Sequence, residues 1–254
     1  MATFVLVHGA WHGSWCWKRV RKRLQERGHD VHAPTLSGIG ERAHLLSPEI
    51  NLQTHIDDVA NLIRWEELSD LVLCGHSYGG CVITGVADAL ADRIAALVYL
   101  DAFILEDGQG LYDVLAPGLR QVQVDATEAV GDGWKVPPIP AETFNVNAAD
   151  RAWVDRQCTW HPAAAFTQPI RLTGAGDRIS NVHYIGARDF PDSPFPPFLQ
   201  MARRRGWRVS LMDCGHDIMV DMPDALADAL ESIAERSRQP SARIAVRADG
   251  SPDQ

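Results

Sequence analysis

Apolar residues run unbroken at positions 4–7, 71–74 and 94–100, and each run ends at a turn residue or a polar side chain. Short apolar runs without alternation predict strands buried on both faces. Between them the period lengthens. Leu52, Ile56, Val59, Leu62 and Ile63 recur at helical spacing, which predicts an amphipathic helix over residues 52–65. Residues 15–27 predict a helix stopped by Gly28, residues 31–33 a short strand stopped by Pro34, and residues 78–90 a helix opening from a glycine-rich turn. Such alternation implies a parallel sheet with helices on both faces.

The rhythm breaks over residues 104–178, where glycines, prolines and Trp134, Trp153 and Trp160 follow no period. It resumes with a strand at 182–186, a helix at 198–205, a strand at 207–212 and a helix at 223–236. The pattern therefore predicts an α/β core over 1–103 and 179–236, an inserted cap over 104–178, and a mobile polar tail over 237–254.

Composition narrows the function classes. A formal charge of −9 argues against nucleic acid, whose phosphates need clustered Lys and Arg. Cysteines 16, 74, 81, 158 and 214 are odd in number and form no C-x-x-C pair. They read as free thiols in a reducing compartment, with neither a metal site nor a disulfide framework. No signal-peptide pattern opens the chain, and no apolar stretch approaches the ~20 residues of a membrane span. A cytoplasmic protein acting on a small molecule, without a membrane partner, is the expectation; a homodimer stays open.

Residues 71–80, LVLCGHSYGG, contain G-x-S-x-G between an apolar strand and a helix. That context predicts a nucleophile elbow, in which glycines let strand and helix approach around a strained serine, Ser77. A serine hydroxyl needs a base. His216, in the loop after the last strand, stands where this chain order puts it. Ester cleavage also needs donors for a tetrahedral oxyanion. The backbone N–H of Tyr78, just after the serine, and that of Ala10, in the turn after the first strand, are the candidates. Trp11, Trp15 and Trp17 follow that turn and are expected to brace it and wall a pocket.

These stretches, with FVLVHGAWHGSWCW at 4–17, GHSYGG at 75–80 and GHD at 215–217 followed by Pro223, resemble the α/β-hydrolase superfamily, and within it the methylesterase and hydroxynitrile-lyase branch with its bacterial esterase relatives. The resemblance implies an α/β-hydrolase fold, a six-stranded mostly parallel sheet flanked by helices, a small cap, no extra strands before the first, and no cofactor. It also implies how lyases differ: a threonine in place of Gly9 and a lysine in place of Asp217. Glycine leaves the oxyanion hole open and an acidic side chain would repel cyanide, so both departures favour an esterase.

Three carboxylates compete to orient His216. Asp177 precedes the strand at 182–186 and is set aside. Asp189 follows that strand, at a spacing similar to plant relatives. Asp101, in YLDAF, ends the strand beside the elbow, as in some dehalogenases and bacterial relatives that this chain resembles. Asp101 is preferred and Asp189 is the alternative, since a carboxylate at a buried strand end needs a partner. Trp134, Tyr112 and Trp11 are the first candidates to contact substrate, with Phe144 and Trp160 behind them. The reading is a serine esterase cleaving a small apolar or aryl carboxylic ester through an acyl-enzyme, faster as His216 loses its proton. The alternatives are hydroxynitrile-lyase chemistry and a non-catalytic ligand-binding protein on the same fold.

Overall fold

In a computed structural model, the structure describes residues 1–238. The first half alternates as the apolar pattern predicts. Strand β1 (Thr3–Val7) leads through a 3-10 turn at Ser14–Trp17 into α1 (Lys18–Glu26), then β2 (Asp30–His32), α2 (Leu52–Trp65), β3 (Leu71–His76), α3 (Gly79–Ala89) and β4 (Ile94–Leu100). An insertion follows, with α4 (Leu111–Val114), α5 (Pro117–Val130), β5 (Lys135–Val136), α6 (Arg151–Gln157), β6 (His161–Pro162) and α7 (Ala164–Thr167). The chain then completes the sheet with β7 (Val182–Ala187), α8 (Pro196–Arg204) and β8 (Arg208–Met212), and the described residues close with α9 (Ile218–Asp221) and α10 (Pro223–Arg238).

The main sheet is six-stranded, in the order β2-β1-β3-β4-β7-β8, and every pairing is parallel. β3 is buried at every position, which explains why its sequence shows no alternation. α1 packs with α10, and α2 with α3, so helices cover both faces. α2 starts at Asn51, whose side chain accepts from Thr54 N–H in a reciprocal capping box. Strand order reverses between β1 and β3, and ligands of such sheets bind beyond the carboxyl ends at that reversal. Register brings those ends level: Val7 pairs with Gly75, and His76 with Leu100. The loops carrying Ala10, Ser77 and Asp101 therefore emerge side by side.

The boundaries differ from the sequence reading where apolar content misleads. β3 runs on to His76, because Gly75 and His76 keep their pairing with β4 although neither is an apolar strand former. The residues before α1 form a separate 3-10 turn. α10 includes Ser237 and Arg238, so the predicted tail starts later than 237; the rest of it lies outside the described residues. β5 and β6 pair antiparallel within the insertion. Among the described residues, no helix is long and apolar enough to cross a membrane.

Candidate active site

Ser77 stands between β3 and α3 with φ +54°, a left-handed conformation that L residues seldom adopt. The surrounding glycines make the turn possible. A Cβ on Gly75 would lie 2.5 Å from Gly79 O, and one on Gly79 would lie 2.7 Å from His8 O. Strand, helix and the β1 loop thus meet at backbone distance around the serine. Ser77 retains 9% exposure, toward a cavity.

His216, reached after β8, faces the same cavity. Its Nδ1–H donates to Asp101 Oδ2 at 2.7 Å, and Asp101 Oδ1 accepts from Ala187 N–H at 3.2 Å. The carboxylate fixes the imidazole with its proton on Nδ1, leaving Nε2 as the free acceptor. Phe195 stacks on the ring at 4.9 Å and 15°, Phe190 at 5.0 Å and 28°, and Phe144 tilts against it at 5.3 Å. No hydrogen bond joins Ser77 Oγ to His216 Nε2 among the described residues, and such bonds commonly tighten only with substrate bound. Asp189 is exposed; its carbonyl, not its carboxylate, accepts from Asn145. Asp177 lies on a different cavity of about 650 Å³, beside Tyr99 and Trp207 and away from Ser77. That cavity is larger, but it contains neither Ser77 nor His216.

Ala10 and Tyr78 both line the Ser77 cavity. Among the described residues, neither of their N–H groups has a backbone partner in the turns and loops. Histidines hold the surrounding peptides. His8 Nε2 accepts from Leu36 N–H at 3.0 Å, so its proton sits on Nδ1 and is donated to Gly9 O at 2.8 Å. Gly9 O belongs to the peptide that carries the Ala10 N–H, so this bond turns that N–H the opposite way. Burial pushes His8 down to about 3 and keeps it neutral. Trp11 N–H donates to His161 Nδ1 at 3.3 Å. Tyr78, fully buried, donates its hydroxyl to His55 Nδ1 at 2.8 Å, while His55 Nε2–H donates to Ser37 O. His12 was not singled out by the sequence. Its Nδ1 bonds Ala10 O at 2.8 Å and its Nε2 bonds Asp217 Oδ2 at 3.0 Å. A visible signal existed: a second His-Gly four residues after the first, and an acid adjoining His216.

That pairing corrects the role given to Asp217. Its carboxylate is 0% exposed and turned toward His12, so it does not face the cavity where a leaving group would stand. Gly9 keeps its importance. A Cβ there would lie 2.9 Å from both Ser77 Cβ and His76 Nδ1.

The Ser77 cavity holds about 490 Å³; its wall is mostly apolar, with the aromatic rings Trp11, Phe103, Phe144, Phe166, Phe190 and Phe195 beside Leu111, Leu115, Leu119 and Ile139, and with Gln123, Glu142, Thr143 and Asp192 as polar members. Trp11 lines the cavity and is fastened by Nε1–H to Val136 O at 3.3 Å. Trp134 and Tyr112 are not on the wall. Lys135 Nζ lies 5.4 Å from the Trp134 ring and 5.1 Å from the Trp160 ring, so these two rings hold a cation away from the cavity. Tyr112 packs behind Phe166 at 5.6 Å. Trp17 is core, and Trp15 stacks on His12 at 5.1 Å. Phe190 and Phe195 were legible only as an aromatic-rich stretch after β7. Among the described residues, no group of three or more His, Cys, Asp or Glu side chains is arranged to hold a metal ion.

Comparison with known proteins identifies the family and the fold. The family model described as the alpha/beta hydrolase family matches residues 4–229. A carbendazim hydrolyzing esterase from Nocardioides sp. (strain SG-4G) is 45% identical over 242 residues, covering 92% of this chain and 100% of that protein. Among solved structures, an extracellular alpha/beta-hydrolase from a Paenibacillus species aligns with a TM-score of 0.80 at 24% identity, over 92% of this chain and 99% of that one. A pyrethroid hydrolase from Sphingobium faniae JZ-2 aligns with a TM-score of 0.74 at 25% identity, over 92% and 97%. Matched along nearly its whole length by the family and by an esterase, the chain belongs to the alpha/beta hydrolase family, as a carboxylic ester hydrolase.

Proposed function

We propose that this chain is a serine esterase that cleaves a small apolar or aryl carboxylic ester through an acyl-enzyme on Ser77. The observation that carries the reading is the meeting of a strained serine and a carboxylate-bound histidine on one apolar cavity. His216 Nε2 takes the proton of Ser77 Oγ as the oxygen attacks the ester carbonyl. The carbonyl oxygen gains charge and is met by the N–H groups of Ala10 and Tyr78. The tetrahedral intermediate collapses, the bond to the alkoxy oxygen breaks, and His216 returns the proton to the departing alcohol. Water then enters, is deprotonated by His216, and releases the acid from Ser77 by the same steps. Asp101 keeps the imidazole in the tautomer that can accept from serine and stabilises it when charged.

The insertion between β4 and β7 acts as the cap. It supplies Phe144 and Phe166 to the wall, and His216 N–H donates to Phe144 O at 2.9 Å, so cap and base loop are joined. An apolar cavity of about 490 Å³ with several aromatic rings suits a compact ligand with a flat apolar part. The full-length relative is named for hydrolysing carbendazim, which makes that compound a direct assay beside aryl esters. Lyase chemistry is disfavoured by position 9, where a threonine side chain would begin 2.9 Å from Ser77 Cβ. Hydrolysis of p-nitrophenyl acetate and butyrate by wild type beside Ser77→Ala tests the proposal. Turnover lost by several orders of magnitude in the variant supports it. Equal rates in both would overturn it.

A further inference from the structure

His12 is hydrogen-bonded on both ring nitrogens, and both partners are acceptors. Nδ1 meets the Ala10 carbonyl at 2.8 Å, and Nε2 meets the Asp217 carboxylate at 3.0 Å. A neutral imidazole has one N–H and can satisfy only one of them. Against the pull of burial, His12 holds the Asp217 carboxyl well below the usual carboxylate range, so it is ionised and can only accept; satisfying both bonds then requires the imidazolium. Asp217 has no Lys or Arg within salt-bridge distance among the described residues; its other near neighbour is His76 Nε2, at 3.9 Å from Oδ1. His76 is already committed as a donor to His216 O at 3.1 Å and is held neutral by burial. His12 is thus the counter-charge of Asp217, and the carboxylate in turn holds His12 above the ordinary imidazole range against the pull of burial. The other titratable groups around the pair are His8, His216, Cys16, Cys158 and Asp221, and none of these is a lysine or an arginine.

Burying such a pair gains little stability over apolar side chains of the same volume, because both ions lose their water. Its location suggests what it does instead. Asp217 adjoins His216. The Ala10 carbonyl that His12 grips follows directly on the Ala10 N–H. Trp15 lies flat on the His12 ring and is itself edged by Trp153, so the ring has one position.

We propose that His12 and Asp217 form a charged clamp that holds the Ala10 loop and the His216 loop in register, and that both are positioning residues for ester cleavage. The inference rests on the roles given above to Ala10 and His216. His76, next to Ser77 and bonded to His216 O, ties the third segment to the same point. One buried ion pair with one neutral histidine therefore links the three segments that carry donor, nucleophile and base, which come from distant parts of the chain.

The test measures kcat and KM on p-nitrophenyl acetate, and the affinity of a trifluoromethyl ketone that adds to serine and mimics the oxyanion. His12→Ala and Asp217→Ala should lower kcat about 10- to 100-fold, less than the ~10²–10³ that follows loss of an oxyanion donor itself. KM should stay within about twofold, and ketone affinity should fall with kcat, because only the charged intermediate feels the misplacement. Asp217→Asn should recover most of the rate: its amide N–H donates to a neutral His12 Nε2, and His12 Nδ1–H keeps Ala10. A folded His12→Ala with unchanged kcat and ketone affinity would overturn the clamp, as would Asp217→Asn performing no better than Asp217→Ala. If the alanine variants do not fold, ¹⁵N-histidine NMR of the wild type decides. Both His12 nitrogens protonated at neutral pH supports the clamp, and a single protonated nitrogen overturns it. Wild-type turnover lost in Ser77→Ala bears on the esterase reading alone; absence of turnover in the wild type overturns both, since the clamp then has no oxyanion to serve.

Discussion

Replacing Asp101 by asparagine removes a charge from the centre of the site and changes almost no volume. Asp101 is 2% exposed and both its oxygens accept, from His216 Nδ1–H at 2.7 Å and from Ala187 N–H at 3.2 Å. Asparagine offers one acceptor and one donor group. If its oxygen keeps Ala187, its NH₂ faces His216, and two donors cannot meet. The arrangement without an unpaired buried donor moves the imidazole proton from Nδ1 to Nε2, the nitrogen that must accept from Ser77. A hydrogen bond to a charged group contributes ~1.5–3 kcal/mol net and a neutral one ~0.5–1.5, so stability should fall by only about 1–2 kcal/mol. The rate should fall much further. A serine–histidine site locked in the wrong tautomer loses ~10⁴ in kcat, which is about 5.5 kcal/mol of barrier. The assay is p-nitrophenyl acetate hydrolysis at matched folded fraction, with urea unfolding run in parallel. Asp189→Asn is the control: its carboxylate is exposed and makes no contact with His216, so stability should change by no more than about 0.5 kcal/mol. Near-full activity in Asp101→Asn, or a comparable loss in Asp189→Asn, would refute the assignment.

Gly9→Ala should place a methyl group 2.9 Å from Ser77 Cβ and His76 Nδ1, costing about 1–3 kcal/mol as overpacking and slowing turnover at least tenfold; an unchanged Tm with full activity would contradict this. Trp11→Leu should raise KM for aryl esters about tenfold through lost ring contact, whereas Trp134→Leu should leave KM nearly unchanged; the reverse pattern would return Trp134 to the binding site. Acid should unfold the protein early. His8 is lowered to about 3, His55 and His183 to about 4, and His76 and His161 also lie below the ordinary value, so the unfolded chain binds more protons as pH falls below about 6.5. The raised His12 acts in the opposite sense, since its contribution is full at low pH and lost on the alkaline side. Five lowered groups outweigh one raised, so urea midpoints should drop between about pH 7 and about pH 4.5, and a flat profile would contradict the burial of those histidines as neutral groups.

The sheet was legible because a parallel strand buried on both faces leaves an unbroken apolar run, and β1, β3 and β4 do so. The serine and its base were legible because the elbow needs glycines at fixed offsets, and GHSYGG supplies them. Asp101 was reachable through the rule that a carboxylate at a buried strand end needs a partner. The cavity wall was not. Whether an aromatic residue faces the cavity, the core or a lysine depends on how short, aperiodic segments such as β5 and α7 sit on the sheet, and no period in residues 104–178 encodes it. Asp217 was misread for a related reason: its partner, His12, is 205 residues away, and a carboxylate beside a base looks outward until that partner is seen.

The central claim is that Ser77 carries the acyl group. Wild type mixed with p-nitrophenyl acetate, quenched in acid within milliseconds and digested for mass spectrometry, should yield an acetylated peptide containing Ser77. Nitrophenol released without acetylation of that peptide, or acetylation on another side chain that persists in Ser77→Ala with full turnover, would contradict the account.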